Sequence, residues 1–140
     1  MSTTHKQPAI AVDCVVFDNE GRLLLIRRKN APFKGKFALP GGFVEYGEST
    51  EAAARRELHE ETSLKIGRQL HLVGVYSDPK RDPRGHTISV AYVAVAARSA
   101  RVRGGDDAAS AEFVTDWRRL TLAFDHNIIV HDALGVIAAA

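Results

Sequence analysis

Apolar positions along the chain fall into two patterns, short β-branched runs and one longer helical stripe. Residues 9–17, Ala-Ile-Ala-Val-Asp-Cys-Val-Val-Phe, are rich in β-branched side chains and predict a strand. A turn at Asp18-Asn19-Glu20-Gly21 and a second apolar run, Arg22–Arg28, make this a hairpin. Asn30–Lys36 contains Pro32 and Gly35 and reads as loop, and Phe37–Leu39 is a short extended piece running into Pro40-Gly41-Gly42. Ser49–Thr62 is the clearest helix, with good helix formers from Ala52 to Leu58 and Ser49 or Thr50 as its cap.

Leu70–Tyr76 predicts another strand, and Asp78–His86 a polar loop with two prolines. Ile88–Ala97 is apolar on both faces, as a central, doubly covered strand should be. Ser99–Ser110 is polar and Gly-containing and reads as a mobile loop, followed by a short strand at Glu112–Thr115. In Asp125–Ala138 the apolar residues Ile128, Ile129, Ala133, Leu134 and Ile137 recur at helical spacing. Strands and helices are therefore mixed, and the class is α/β, with helices covering a mixed sheet.

Composition narrows this further. A chain of 140 residues fits one domain, 1–140, and is large enough for a core without disulfides. Cys14 is the only cysteine and lies in an apolar run, so it reads as a buried core thiol. The start of the chain is polar, and the longest apolar run, Val90–Ala97, is far short of the roughly 20 residues a membrane span needs. The expected protein is soluble and cytoplasmic, with no membrane partner. A net charge of +2 argues against nucleic acid as the main partner.

Glu57, Glu60 and Glu61 are the most informative residues. At i, i+3 and i+4 of a helix they fall within about 100° of its circumference, beside the apolar stripe of Ala54 and Leu58. Like charges at this spacing cost a helix roughly 0.2–0.5 kcal/mol per pair and raise one another's pKa. A hard divalent cation removes both penalties, and a solvated acidic face balanced by Arg55, Arg56 and Lys65 is the alternative that spacing alone leaves open. The preceding loop, Gly42 to Ser49, has the outline of a phosphate-binding P-loop, but Glu48 stands in the lysine's place and reverses the charge. A zinc-protease helix also fails, because His59 has no second histidine four residues on.

Gly42, five residues, Glu48, seven residues, Arg56-Glu57-Leu58, one residue, Glu60-Glu61, one residue, Ser63-Leu64 resembles the Nudix box. Its one departure is Ser63, where the family has the glycine that ends the helix in a left-handed turn. The resemblance implies an α/β/α sandwich with a mixed β-sheet, and a hydrolase that needs Mg²⁺, with Mn²⁺ as a substitute. It implies that Glu57, Glu60 and Glu61 bind metal, with the Gly42 carbonyl and Glu48 as further candidates. Arg56 would pair with Glu48 and hold loop against helix. The ions would neutralise growing charge and acidify the attacking water, whose proton a carboxylate takes. Candidates for that role are Glu60, Glu61 and Glu112, with Asp106 and Asp107 behind them.

Pro79, fifteen residues beyond Leu64, resembles a mark of the family's ADP-ribose pyrophosphatases. That likeness implies cleavage of ADP-ribose to AMP and ribose 5-phosphate, and a homodimer in which one chain completes the other's adenine pocket. Arg81 and Arg84 in the stiff loop, with Arg27, offer charge to phosphate, His86 a loop contact, and Phe37 and Tyr76 rings for adenine. His126 and His131 share no helical face well and receive no chemistry. The rival readings are a hydrolase of modified nucleoside triphosphates or dinucleoside polyphosphates, and a silent ADP-ribose-sensing module. A sensor is expected to carry an added DNA-binding domain, for which the chain leaves no room.

Overall fold

Alternation along the first strand decides the layering. In β1 (Ala9–Phe17), Val12, Cys14 and Val16 join one buried cluster, while Val15 and Phe17 join another. Successive side chains of a strand point to opposite faces, so both faces of β1 are covered. The computed structural model describes residues 6–67, 69–97, 100–105 and 108–139.

Seven strands make one mixed sheet. Beyond β1 these are β2 (Leu23–Arg28), β3 (Phe37–Ala38), β4 (Gly41–Phe43), β5 (His71–Tyr76), β6 (Thr87–Val95) and β7 (Ala108–Val114). β1 lies parallel to β6 along its whole length, from Ala9 opposite Thr87 to Phe17 opposite Val95. β5 then pairs antiparallel with β6. On the other side, β2 meets β1 only at Phe17 and Leu23, next to the hairpin turn. Further along, the place beside β1 is taken by β4, with Gly41 opposite Asp13 and Phe43 opposite Ala11. β2 diverges to pair with β3 and β7. This splay between β1 and β2 opens a cleft in the sheet.

Helix α1 (Thr50–Thr62) begins at the cap anticipated from sequence, where Ser49 Oγ accepts the Ala52 N–H at 3.1 Å. It ends at Ser63, which adopts φ 64° and donates its N–H to His59 O at 2.8 Å. Ala53, Ala54 and Leu58 are buried against β1 and its neighbours. Small side chains at 53 and 54 let the helix sit close, and the Cys14 thiol reaches Ala54 O at 3.4 Å. Burial pushes that thiol well above its usual pKa, so it is an inert core group. Truncating the fully buried Leu58 to alanine should cost about 2–5 kcal/mol.

Helix α2 (His126–Ala139) covers the other face, burying Ile129, Val130 and Ala133 with Val15, Phe17 and Leu25. The result is the helix–sheet–helix sandwich expected. Strand bounds differ most from the sequence reading at two places. Gly41–Phe43 is strand rather than loop, and the last strand starts at Ala108 rather than Glu112. Gly41, Gly42 and the Ala108–Ala111 stretch have weak β-propensity, and pairing with β1 and β2 imposes the extended form. No helix among the described residues is long and apolar enough to cross a membrane.

Candidate active site

The cleft has a volume of about 430 Å³ and takes its lining from β1, β2, β4, α1, the 81–87 loop and the start of α2. Glu57 and Glu61 supply its acidic edge. Glu61 is 4% exposed, and its Oε1 accepts the Gly41 N–H at 2.8 Å. Gly42 is packed so closely on Glu57 that a Cβ there would stand 2.5 Å from the carboxylate. A side chain at 42 would therefore displace the Glu57 carboxylate.

Arg56 ties the loop to the helix. Its Nε and Nη2 meet Glu48 Oε2 and Oε1 at 2.7 and 3.0 Å. Nη2 also donates to Phe43 O at 3.0 Å, and Nη1 to Glu57 at 2.7 Å and Glu60 at 3.2 Å. The Arg56 guanidinium and the Glu45 N–H hold the Glu48 carboxyl down at about 2.

A buried polar network around Asp13 lies next to these carboxylates, on the other side of Gly41. Burial raises the pKa of Asp13, but His126, Ser89 and Arg81 outweigh it and keep the carboxyl below its ordinary range. Ser89 donates to Asp13 Oδ2 at 2.5 Å, and His126 Nε2 lies 3.3 Å from Asp13 Oδ1. The Leu39 N–H donates to His126 Nδ1 at 3.0 Å. That bond requires a lone pair on Nδ1, so Nε2 carries the ring proton and faces Asp13. Arg81 is bidentate to Asp125 at 2.6 and 2.9 Å. No buried side-chain polar atom among the described residues lacks a partner.

Above this network stand aromatic and cationic groups. Phe124 lines the cleft in a left-handed conformation, φ 54°. Arg28 and Arg84 lie 5.0 and 5.6 Å from its ring centre, and Phe33 meets it edge-on at 4.9 Å. Arg84 also reaches Phe43 at 5.6 Å and is anchored by Asp82 at 2.8 Å.

Of the residues singled out from sequence, Gly42, Arg56, Glu57, Glu61, Arg81 and Arg84 meet in the cleft. Glu48 stands behind it on Arg56, and Glu60 points to the same arginine with its side chain 40% exposed. The others lie off the cleft lining. Glu112 is exposed on β7 opposite Leu25. Arg27 stacks on Phe37 at 4.0 Å and donates to Gly35 O. Tyr76 donates to Asp132 at 2.6 Å, and His86 Nε2 sits 3.0 Å from Ser77 O. Asp106 and Asp107 fall outside the described residues.

Residues 7–131 match the NUDIX domain. The chain belongs to the Nudix family. It is 50% identical over 128 residues to an ADP-ribose pyrophosphatase of Methanocaldococcus jannaschii, covering 91% of this chain and 74% of that protein. It is 36% identical to the ADPR responsive transcriptional repressor NtrR of Acinetobacter baylyi, across 92% of this chain but only 54% of the repressor. Among solved structures, the NUDIX domain of Shewanella oneidensis NrtR complexed with ADP ribose superposes with a TM-score of 0.86. It is 27% identical and covers 95% of this chain and 90% of that one.

As a Nudix hydrolase the chain shows more of its cleft than the box foretells. Asp13, His126, Asp125, Arg28 and Phe124 all line it or anchor its lining. An aspartate in the middle of an otherwise apolar strand was the one available signal, since a buried carboxylate demands partners. Nothing local marked His126 as one of them.

Proposed function

We propose that this Nudix hydrolase cleaves the pyrophosphate of ADP-ribose, giving AMP and ribose 5-phosphate. The observation that carries the reading is the make-up of the cleft. Glu57 and Glu61 of the Nudix box line it together with Arg28, Arg81, Arg84 and the Phe124 ring. A dinucleotide-like substrate needs both. Its diphosphate must lie at the acidic edge through an intervening cation, and its base and sugars need aromatic and hydrogen-bonding surface. Phe124 is the ring we assign to the base, in preference to Phe37 and Tyr76. The similarity to the archaeal pyrophosphatase supports this substrate.

The donor set at the acidic edge is all oxygen, which suits Mg²⁺ or Mn²⁺ in kind. Among the described residues no three histidine or acidic side chains already converge as a metal site. Glu57 is turned to Arg56 and Glu61 to the Gly41 N–H. Glu57, Glu61 and Glu60, with the Gly42 carbonyl, are the residues we assign to hold the cation. When bound, it neutralises charge on the diphosphate and lowers the pKa of an attacking water. The chain's own part is to hold the carboxylates beside the substrate through Arg56 and Gly41, with the Asp13 network packed behind Gly41. The proton leaving the water goes to a carboxylate of α1. We assign this role to Glu61, which lines the cleft, in preference to Glu60, which does not.

A second reading is a module that senses ADP-ribose without cleaving it, favoured by the likeness to NtrR. A substrate panel with Mg²⁺ distinguishes these two readings from each other and from a hydrolase of nucleoside triphosphates. Cleavage of ADP-ribose yields AMP with no free pyrophosphate. Preferential release of pyrophosphate from nucleoside triphosphates would indicate a sanitising enzyme. Binding of ADP-ribose without any product would indicate the sensor.

A further inference from the structure

His126 and Glu61 come from different helices, and a three-residue arm connects them. At one end of the arm the Leu39 N–H donates to His126 Nδ1 at 3.0 Å. At the other the Gly41 N–H donates to Glu61 Oε1 at 2.8 Å. Between them Pro40 is fully buried, has a restricted φ, and carries no N–H of its own. Its carbonyl accepts the Cys14 N–H at 2.8 Å, which clips the arm to β1. Gly41 is pressed against the same strand, where a Cβ would stand 2.7 Å from Asp13 Oδ1. Asp13 in turn faces His126 Nε2 at 3.3 Å. His126 and Glu61 are each 4% exposed, so water does not substitute for either contact.

From this closed circuit of contacts we propose that His126 is a positioning residue for Glu61, acting through the Leu39–Gly41 arm. The imidazole does two jobs at once. Its Nδ1 fixes where the arm lies, and its Nε2–H, bound to Asp13, fixes the ring. The direction of the Gly41 N–H, and with it the lie of the Glu61 carboxylate, follows from the first job. This inference rests on the reading that Glu61 works in the cleft.

Two variants separate the jobs. His126→Asn keeps an acceptor where Nδ1 stands, and His126→Gln keeps a donor where Nε2 stands. The expected result is that His126→Gln lowers kcat about tenfold or more with KM for ADP-ribose little changed, while His126→Asn retains most of kcat. In the protein without metal or substrate, hydrogen exchange at the Gly41 amide should quicken about tenfold in His126→Gln and stay slow in His126→Asn. Adding His126→Gln to Glu61→Gln should lower kcat little further, because both act through one carboxylate.

Equal effects of the two His126 variants, an unchanged Gly41 amide, or additive losses would overturn the relay. The wild-type protein offers a test that needs no variant to fold. Nitrogen NMR should show His126 protonated on Nε2 and not on Nδ1 at neutral pH; the opposite tautomer would overturn the proposal. The cleft reading fails separately, if Glu61→Gln turns over ADP-ribose like the wild type.

Discussion

Gly42 and Glu57 occupy space that neither could share with a side chain at 42. A Cβ at that position would lie 2.5 to 2.7 Å from three atoms of the Glu57 carboxyl group. Alanine at 42 must therefore push the carboxylate away, since the β4 backbone is held by its pairing with β1. Misplacement of a working group by an ångström can cost on the order of 10²-fold in rate. Gly42→Ala should lower kcat on that scale while the melting temperature hardly moves. Steady-state kinetics beside a thermal melt would check this, and a full-rate variant would show that Glu57 is not needed where it stands.

The Arg56–Glu48 pair gives a prediction in pH. The Glu48 carboxyl titrates at about 2 in the folded protein against an ordinary value of 4.5. A carboxyl whose pKa is lowered on folding stabilises the native state fully above its ordinary pKa, and loses that contribution as pH falls through the folded value. The melting temperature of Glu48→Gln should therefore lie below that of the wild type at pH 7, and the gap should close as pH falls from about 4.5 to about 2. A gap independent of pH would mean the ion pair is not its source. Arg56→Lys should not rescue the pair, because a point charge cannot make both bonds to Glu48 and still reach Phe43 O.

The helix and its box were legible because their information is local. Spacing alone puts Glu57 and Glu61 on one face, and Ser49 and Ser63 mark the two ends. The buried network beside them was not legible. Asp13 and His126 are separated by almost the whole chain and meet only because α2 packs over β1. Which aromatic faces the cleft depends on the splay of β2 from β1, and no periodicity in the sequence reports that splay. Hence Phe37 and Tyr76 stood out from sequence, while Phe43 and Phe124 are the phenylalanines in the lining. The start of β7 escaped for another reason. Ala108, Ala109 and Ser110 carry no strand signal and are extended only because β2 offers them an edge.

Ser63 holds strain with no role in the cleft. Its φ of 64° is a conformation that disfavours a Cβ, and its hydroxyl gains only a 3.4 Å contact from Arg103. Replacing it with glycine removes a penalty of about 1 kcal/mol, less the entropy glycine adds to the unfolded chain. Ser63→Gly should raise the melting temperature by roughly 2–4 °C at most, with kcat unchanged. A fall in melting temperature would show that the Arg103 contact outweighs the strain.

The most direct test follows the two phosphorus atoms of ADP-ribose by ³¹P NMR in the presence of Mg²⁺, with wild-type protein and with Glu61→Gln. The wild type should replace the diphosphate signals with two phosphomonoester signals, those of AMP and ribose 5-phosphate. Glu61→Gln, folded, should leave the diphosphate intact for on the order of 10²-fold longer. A diphosphate that persists with the wild type, or disappears as fast with the variant, would contradict the account.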